Sequence, residues 1–340
     1  MNSHITSIST AVPQHNVEQA KVLDFMAAVN EMDESEKHNL EVLYRATGIN
    51  SRYSVLEDFT QSASSSKYFN PKNTPSTSQR LKLFRKEALD LSLNSAESCL
   101  RNSNFSREKI THLITVSCTG LNAPGLEIDL LYKLGLKKNI QRLAINFMGC
   151  YAAFNAIKAA DTICQSSDAK VLIVCTELCS IHFQKGKDED NLLANSLFGD
   201  GSSALIVEST PSRDMSLKIS AAHCDLLPDG KDEMAWGVGD FGFEMKLSSY
   251  VPDVISTGIS TLLKNYDQNF DYYAIHPGGK RILKVIEEHL NISKDQNSKA
   301  HEVLRDFGNM SSPTILFVLK SIFDDLKDTD NGKDILAMAF

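Results

Sequence analysis

The sequence predicts a layered α/β fold, and three observations carry that prediction. From Ile110 onward, short β-rich runs alternate with helical segments. Lys170 to Thr176, KVLIVCT, is a continuous apolar run bounded by polar residues, as expected for a strand covered on both faces. After a connector at Pro211 to Asp214 the same order of elements recurs without a sequence-level repeat. The boundary between an N-terminal half, residues 1–212, and a C-terminal half, residues 213–340, therefore falls near residue 212.

The chain opens with a strand, Ile5 to Ala11, ended by Pro13, and helical spacing follows over Val17 to Val29 and Glu34 to Ala46. Gly48 to Tyr53 breaks the second helix. Phe59 to Gln79, dense in Ser, Asn, Pro and Thr, reads as a long surface loop, either mobile or a lid over a site. An amphipathic helix spans Arg80 to Leu100. The alternation then runs through a strand at Ile110 to Cys118, a helix at Leu126 to Leu134, a short buried strand at Arg142 to Asn146 and a helix at Tyr151 to Cys164. Lys170 to Thr176 and the glycine-flanked Phe198 to Glu208 are the next strands. The second half reads as strands at Leu217 to Cys224, Phe270 to Ile275 and Asp334 to Phe340. Its helices read as Val251 to Lys264, Lys280 to His289, Ala300 to Asp306 and Pro313 to Leu326.

Composition narrows the function classes. The 340 residues are 42% hydrophobic and 23% charged, ordinary for a soluble enzyme with one or two cores. A net charge of −8 with no long basic run argues against extended nucleic-acid or anionic-membrane binding. Seven cysteines, with no CxxC pair or zinc-like cluster, fit free thiols in a reducing compartment. The N-terminus lacks a charged-then-apolar leader pattern and no apolar run is long enough for a membrane span, so a cytoplasmic location is expected.

The stretch NFMGCYAAF places Cys150 at a strand-to-helix turn. Unpaired N–H groups and the helix dipole at such a turn stabilise a thiolate and predict a nucleophile. A buried structural cysteine is the competing reading until partners are found. YYAIHPGGKRIL sets His276 just after a strand and before a helix, at the end that faces ligand crevices in α/β proteins. Alone, it fits a satisfied half-buried histidine equally well. DFGNMSSPTILFVL sets Asn309 in a turn where asparagine ordinarily caps, with Ser311 or Ser312 able to cap the next helix.

Taken together, MGCYAAF, HPGG, GNMSS and LFGDGSSALIV resemble the thiolase superfamily, and specifically the type III polyketide synthases of the chalcone synthase-like family, in bacterial form. The resemblance runs from about Ile5 to the last residue. It implies a thiolase fold, five layers of αβαβα from two similar halves with the site between them, and a homodimer with Leu121 to Gly125 near its interface. It implies that Cys150 takes a starter acyl group from its coenzyme A ester, held as thiolate beside a His276 imidazolium. His276 and Asn309 would stabilise the enolate formed as malonyl-CoA loses carbon dioxide. The enolate attacks the Cys150 thioester, and repeated rounds give a chain that cyclises to a pyrone, resorcinol or naphthol-type product. No metal and no redox cofactor is required.

The same resemblance makes Phe198 a gate on the tunnel to the site and assigns Cys118, Thr119, Cys179, His182, Trp236, Met245 and Ser311 to the cavity wall, with core packing the competing role for each. Cys118, Cys179, Met245 and Trp236 depart from the plant chalcone synthases and point away from chalcone as product. Arg45 matches an arginine that contacts coenzyme A phosphates, although Val42 stands where a family lysine is expected. The family continues past a segment like ILAMAF into a Gly-Pro-Gly turn and a final strand, whereas this sequence stops at Phe340. A β-ketoacyl carrier-protein synthase III-like condensing enzyme is the nearest alternative enzyme. An inactive homologue serving as a dimer partner is the alternative from another class.

Overall fold

A computed structural model describes residues 3–227, 230, 233–248, 250–263 and 269–340. Its largest sheet has six strands in the order β5-β4-β6-β7-β1-β8. These strands are β1 (His4–Ala11), β4 (His112–Ser117), β5 (Gln141–Asn146), β6 (Lys170–Leu178), β7 (Asp200–Glu208) and β8 (Leu217–Lys218). The strands β5, β4 and β6 run parallel, and β7 is antiparallel to both β6 and β1. The whole of β7 and nearly all of β6 are buried, as a continuous apolar run demands.

Five layers follow from what packs on this sheet. Helices α3 (Thr77–Arg101) and α4 (Leu126–Lys133) cover one face. Helices α5 (Ala152–Ser166) and α10 (Thr314–Asp325) cover the other, and α10 then packs with its far side on a two-stranded parallel sheet, β11 (Tyr272–Ile275) with β12 (Ile335–Met338). Helices α7 (Val251–Leu262), α8 (Lys280–Leu290) and α9 (Ser298–Phe307) close the outside. One apolar cluster joins α5, α10, β11 and α8 across these layers. α10 is buried nearly all round because it has a sheet on each side.

Several elements differ from the sequence reading for physical reasons. The predicted strand Leu217 to Cys224 shortens to Leu217–Lys218 and joins β1 of the first sheet, so the second sheet has two strands among the described residues. Val251 to Lys264 is helical to Leu262, and Lys264 lies outside the described residues. The first residues of the predicted helix from Val17 belong to β2 (His15–Glu18), which pairs with β3 (Ser51–Ser54) before α1 (Gln19–Val29) and α2 (Glu34–Thr47). Helix α6 (Glu189–Leu197) and the hairpin of β9 (Met234–Gly239) with β10 (Gly242–Leu247) are further elements absent from the sequence reading, although Phe243, Met245 and Leu247 alternate with Glu244 and Lys246 as a strand requires. β5, predicted buried, is exposed along almost its whole length, because it is the sheet's edge and no further strand among the described residues pairs with its outer side.

The segment between Phe59 and Gln79 is not a loose loop. Phe69 is fully buried, and the buried Asp58 carboxylate accepts the backbone N–H groups of Lys67, Tyr68 and Phe69. Arg80, also fully buried, lies over the Phe69 ring and donates to the carbonyls of Pro75, Ile181 and Phe183. A polar composition is thus folded around two buried charges. Asp58→Ala leaves these donors unmet and should lower stability by about 2 kcal/mol. Urea denaturation with limited proteolysis checks this, the new cleavage falling between residues 60 and 76.

Candidate active site

The carboxyl ends of the three parallel strands converge on one place. β4 delivers Cys118 and Thr119, β5 leads through a turn to Cys150, and β6 ends in Glu177 and Leu178, followed by Cys179. The turn into α5 is made by left-handed Phe147 (φ 56°) and Gly149 (φ 78°). The Gly149 N–H donates to the Cys118 sulfur at 3.2 Å, so the residue before Cys150 is held from the β4 side.

From the second half, β11 ends at His276 and the turn before α10 supplies Asn309 and Ser311. The Cys150 thiol lies 3.7 Å from Ser311 Oγ. The Ser311 backbone N–H donates to Asn309 Oδ1 at 2.8 Å, and Asn309 Nδ2 donates to the carbonyl of Gly278, two residues after His276, at 3.3 Å. A chain of contacts therefore runs from Cys150 through Ser311 and Asn309 to the His276 turn. His276 is fully buried with its ring edge against Phe340, and neither ring nitrogen has a hydrogen-bond partner among the described residues.

The remaining candidates fall into two groups. Phe198, Cys179, His182, Trp236 and Met245 line one cavity. His182 is saturated within that wall: Nε2–H donates to the Thr119 carbonyl, Nδ1 accepts from Phe243 N–H, and the ring stacks on Phe243 at 4.0 Å. The Trp236 indole N–H donates to the Cys118 carbonyl at 2.7 Å, and Trp236 pairs with Met245 across the hairpin. Arg45 is not brought to this group. It is exposed in the last turn of α2 and lines no part of the cavity.

Electrostatics overturn one expectation. A helix-end turn was expected to favour the Cys150 thiolate, but burial pushes the thiol up to about 11, Ser311 and Asn309 pulling it down and the Glu177 carboxylate adding to the rise. Burial alone holds His276 down at about 3. In the resting site both groups are neutral, because desolvation outweighs the partial charges of the turn. Glu177, fully buried on β6, was missed by the sequence reading. A charged residue inside an otherwise apolar buried run, VLIVCTELC, was the available signal. Arg52 was missed too: it donates to the carbonyls of Asn195 and Phe198 and so holds the predicted gate from beneath.

Residues 2–211 match the family model for chalcone and stilbene synthases, N-terminal domain, and residues 218–339 match the C-terminal domain of the same family. The chain belongs to the chalcone and stilbene synthase family. It is a type III polyketide synthase, an acyltransferase-type enzyme with the thiolase-like fold. Probable polyketide synthase 1 of Dictyostelium discoideum is 29% identical over 94% of this chain, which spans 10% of that protein's length. Pks18 of Mycobacterium tuberculosis, named for alpha-pyrone synthesis, is 28% identical over 99% of this chain and 87% of its own. Among solved structures, PKS-I of the brown alga Ectocarpus siliculosus superposes with a TM-score of 0.89 at 28% identity, covering 95% of this chain and 89% of the other. The C-terminal type III polyketide synthase domain of Steely1 from Dictyostelium gives 0.88 at 26%, covering 96% and 93%. Among the described residues of this polyketide synthase, no helix is long and apolar enough to cross a membrane, and no cluster of His, Cys, Asp and Glu is arranged to hold a metal ion.

The depressed His276 value has a consequence for stability. Its folded value of about 3 lies below the ordinary 6.5, so the unfolded chain takes up this proton first as pH falls. The stability contributed by neutral His276 is whole above 6.5 and is lost toward 3. Between pH 7 and 5 the loss from this residue is about 2 kcal/mol. His276→Gln should flatten the difference between urea curves at those two pH values by about that amount.

Proposed function

We propose that this chain condenses malonyl-CoA by decarboxylation onto an acyl starter bound to Cys150, and that the product is an alkylpyrone. The observation that carries the reading is the contact chain from Cys150 through Ser311 and Asn309 to the turn that bears His276. In this mechanism the neutral imidazole of His276, with both ring nitrogens free, accepts the Cys150 proton as the starter thioester arrives. The thiolate attacks the carbonyl carbon, coenzyme A leaves as its thiol, and the acyl group stays on Cys150. Malonyl-CoA then loses carbon dioxide, and its enolate oxygen is met by His276 and by the Asn309 amide, donors that need no reorganisation. The enolate carbon attacks the Cys150 thioester and the thiolate leaves. Coenzyme A thioesters are the substrates, and the steps as written use no metal and no redox cofactor.

The cavity supports an alkyl starter. Its lining includes Val17, Val22, Met26 and Phe59 beside Phe198 and Cys179, apolar groups that suit a hydrocarbon chain, together with the polar Arg52, Ser54, Gln184 and Asn195. The name of the Mycobacterium relative points the same way. Two halves divided near residue 212 are supported by family matches that end at 211 and resume at 218. Incubation of malonyl-CoA with acyl-CoA starters of increasing length, read by mass spectrometry, tests the reading. Pyrones should form with medium or long alkyl starters and vanish in Cys150→Ala. Resorcinols or naphthols in their place would overturn the product assignment, and undiminished product from the variant would remove Cys150 as nucleophile.

A homodimer is proposed from the uncovered edge of the first sheet. β5 exposes Leu143, and Leu121, Tyr132, Met148 and Tyr151 are exposed nearby in the chain segments that flank it, a concentration of apolar side chains that a partner copy would cover. Leu143→Arg should convert the protein from dimer to monomer in sedimentation velocity, while a dimer that survives this change would place the interface elsewhere.

A further inference from the structure

We infer that Glu177 is a positioning residue for Cys150: its carboxylate ties the loop after β4 and the Ser311 to Ser312 turn to the end of β6, and its charge sets how readily the thiol ionises. The inference rests on Cys150 being the nucleophile and adds a residue that neither touches the substrate nor transfers a proton.

The geometry is a junction between the two halves. Both Glu177 oxygens accept the Cys118 backbone N–H, at 3.0 and 2.9 Å. Oε2 also accepts from Thr119 Oγ1 at 2.7 Å and from Ser117 Oγ at 3.3 Å. Oε1 accepts from Ser312 Oγ of the second half at 2.6 Å. On one side the carboxylate fixes Cys118, whose sulfur holds Gly149, the neighbour of Cys150. On the other it fixes Ser312, beside the left-handed Ser311 (φ 58°) that meets the thiol. Both flanks of the nucleophile are thus anchored on one buried group.

The partners also define its protonation state. Thr119 Oγ1 already accepts the N–H of Leu178, and Ser117 Oγ accepts that of Thr119, so both hydroxyls turn their hydrogens toward Glu177. With a backbone N–H as a further donor, the group is an acceptor throughout, the role of an ionised carboxylate. Burial raises the Glu177 value and is the largest effect, the Ser312, Thr119, Cys118 and Ser117 donors offsetting part of the rise. Titratable groups around Cys150 are Glu177 and Cys179 from the end of β6 and Cys118 from the end of β4. Burial opposes charge on both cysteines and on His276, so among the described residues the Glu177 carboxylate, held by its four donors, is the acidic group that opposes the thiolate.

Glu177→Gln separates charge from geometry. Its oxygen can keep the Cys118 and Thr119 donors while its NH2 turns to the Ser312 oxygen, which can accept. Wild type and variant are titrated with iodoacetamide from roughly pH 7 to 12, in short pulses, with Cys150 alkylation read by mass spectrometry of its peptide. The variant midpoint should fall by about one pH unit, and the pH profile of single-turnover starter loading should move with it. An unchanged midpoint overturns the electrostatic role. Ser312→Ala keeps the charge and cuts the tie between halves; it should slow loading about tenfold with the midpoint unmoved, and loading at wild-type speed overturns the positioning role. A wild-type Cys150 that never alkylates would sink the assignment of the nucleophile itself, a failure distinct from a Cys150 that alkylates at the same pH in both proteins.

Discussion

The two halves meet at a short stretch of backbone on which the rest of the site depends. Asn309 N–H donates to the Leu197 carbonyl and Gly199 N–H donates to the Asn309 carbonyl, each at 2.9 Å, which makes Phe198 and Asn309 a parallel bridge. This approach requires glycine at 308. Its φ is 68°, and a Cβ there would stand 2.7 Å from the Leu197 carbonyl oxygen and 2.9 Å from the Arg52 side chain. Arg52 lies beneath the bridge, with its Nη1 on the Phe198 carbonyl at 2.6 Å. The backbones of a gate residue and an enolate-binding residue, as proposed, cannot then move independently, because two hydrogen bonds join them.

Burial has two opposed effects at this site. It removes charge from Cys150 and His276 at rest, which protects the thiol from chance reaction and keeps the imidazole as a neutral acceptor. It also strengthens every dipole that meets a charge formed during the reaction, so the Asn309 amide, pinned by Gly278 and Ser311, is worth more there than in water. In the proposed mechanism the proton transfer from thiol to imidazole is then conditional on the arrival of substrate. A pair that is neutral apart and charged together needs no standing ion pair to be reactive.

How much of this was legible in the sequence depends on which physical signal carried it. Cys150, His276 and Asn309 sit at strand ends and turns, where short stretches with glycine and proline mark the chain direction, and their order along the chain was readable. The strands β1, β4, β6 and β7 followed from short β-rich or apolar runs bounded by polar or turn residues, and the helix α3 from its amphipathic period. Arg52 and Arg80 were not legible as site or core, since a charged residue in sequence looks solvated until its partners, more than 50 positions away, are seen; Glu177 alone carried a signal, the apolar run around it. β5 was misread for the complementary reason: its apolar residues mark an uncovered edge, and a sequence does not say who covers it.

The residues that depart from plant chalcone synthases argue together about the direction of the cavity. Trp236, anchored by its indole on the Cys118 carbonyl, and the stacked pair of His182 and Phe243 fill the side beneath the hairpin. Met245 pairs with Trp236 across the hairpin, flexible where an aromatic ring would be rigid. The same cavity is lined by Val17, Val22 and Met26 from β2 and α1 and by Phe59. An alkyl starter, as proposed, would lie against these apolar side chains, because Trp236 and His182 already commit their polar atoms to Cys118, Thr119 and Phe243 and offer a polar starter no free partner.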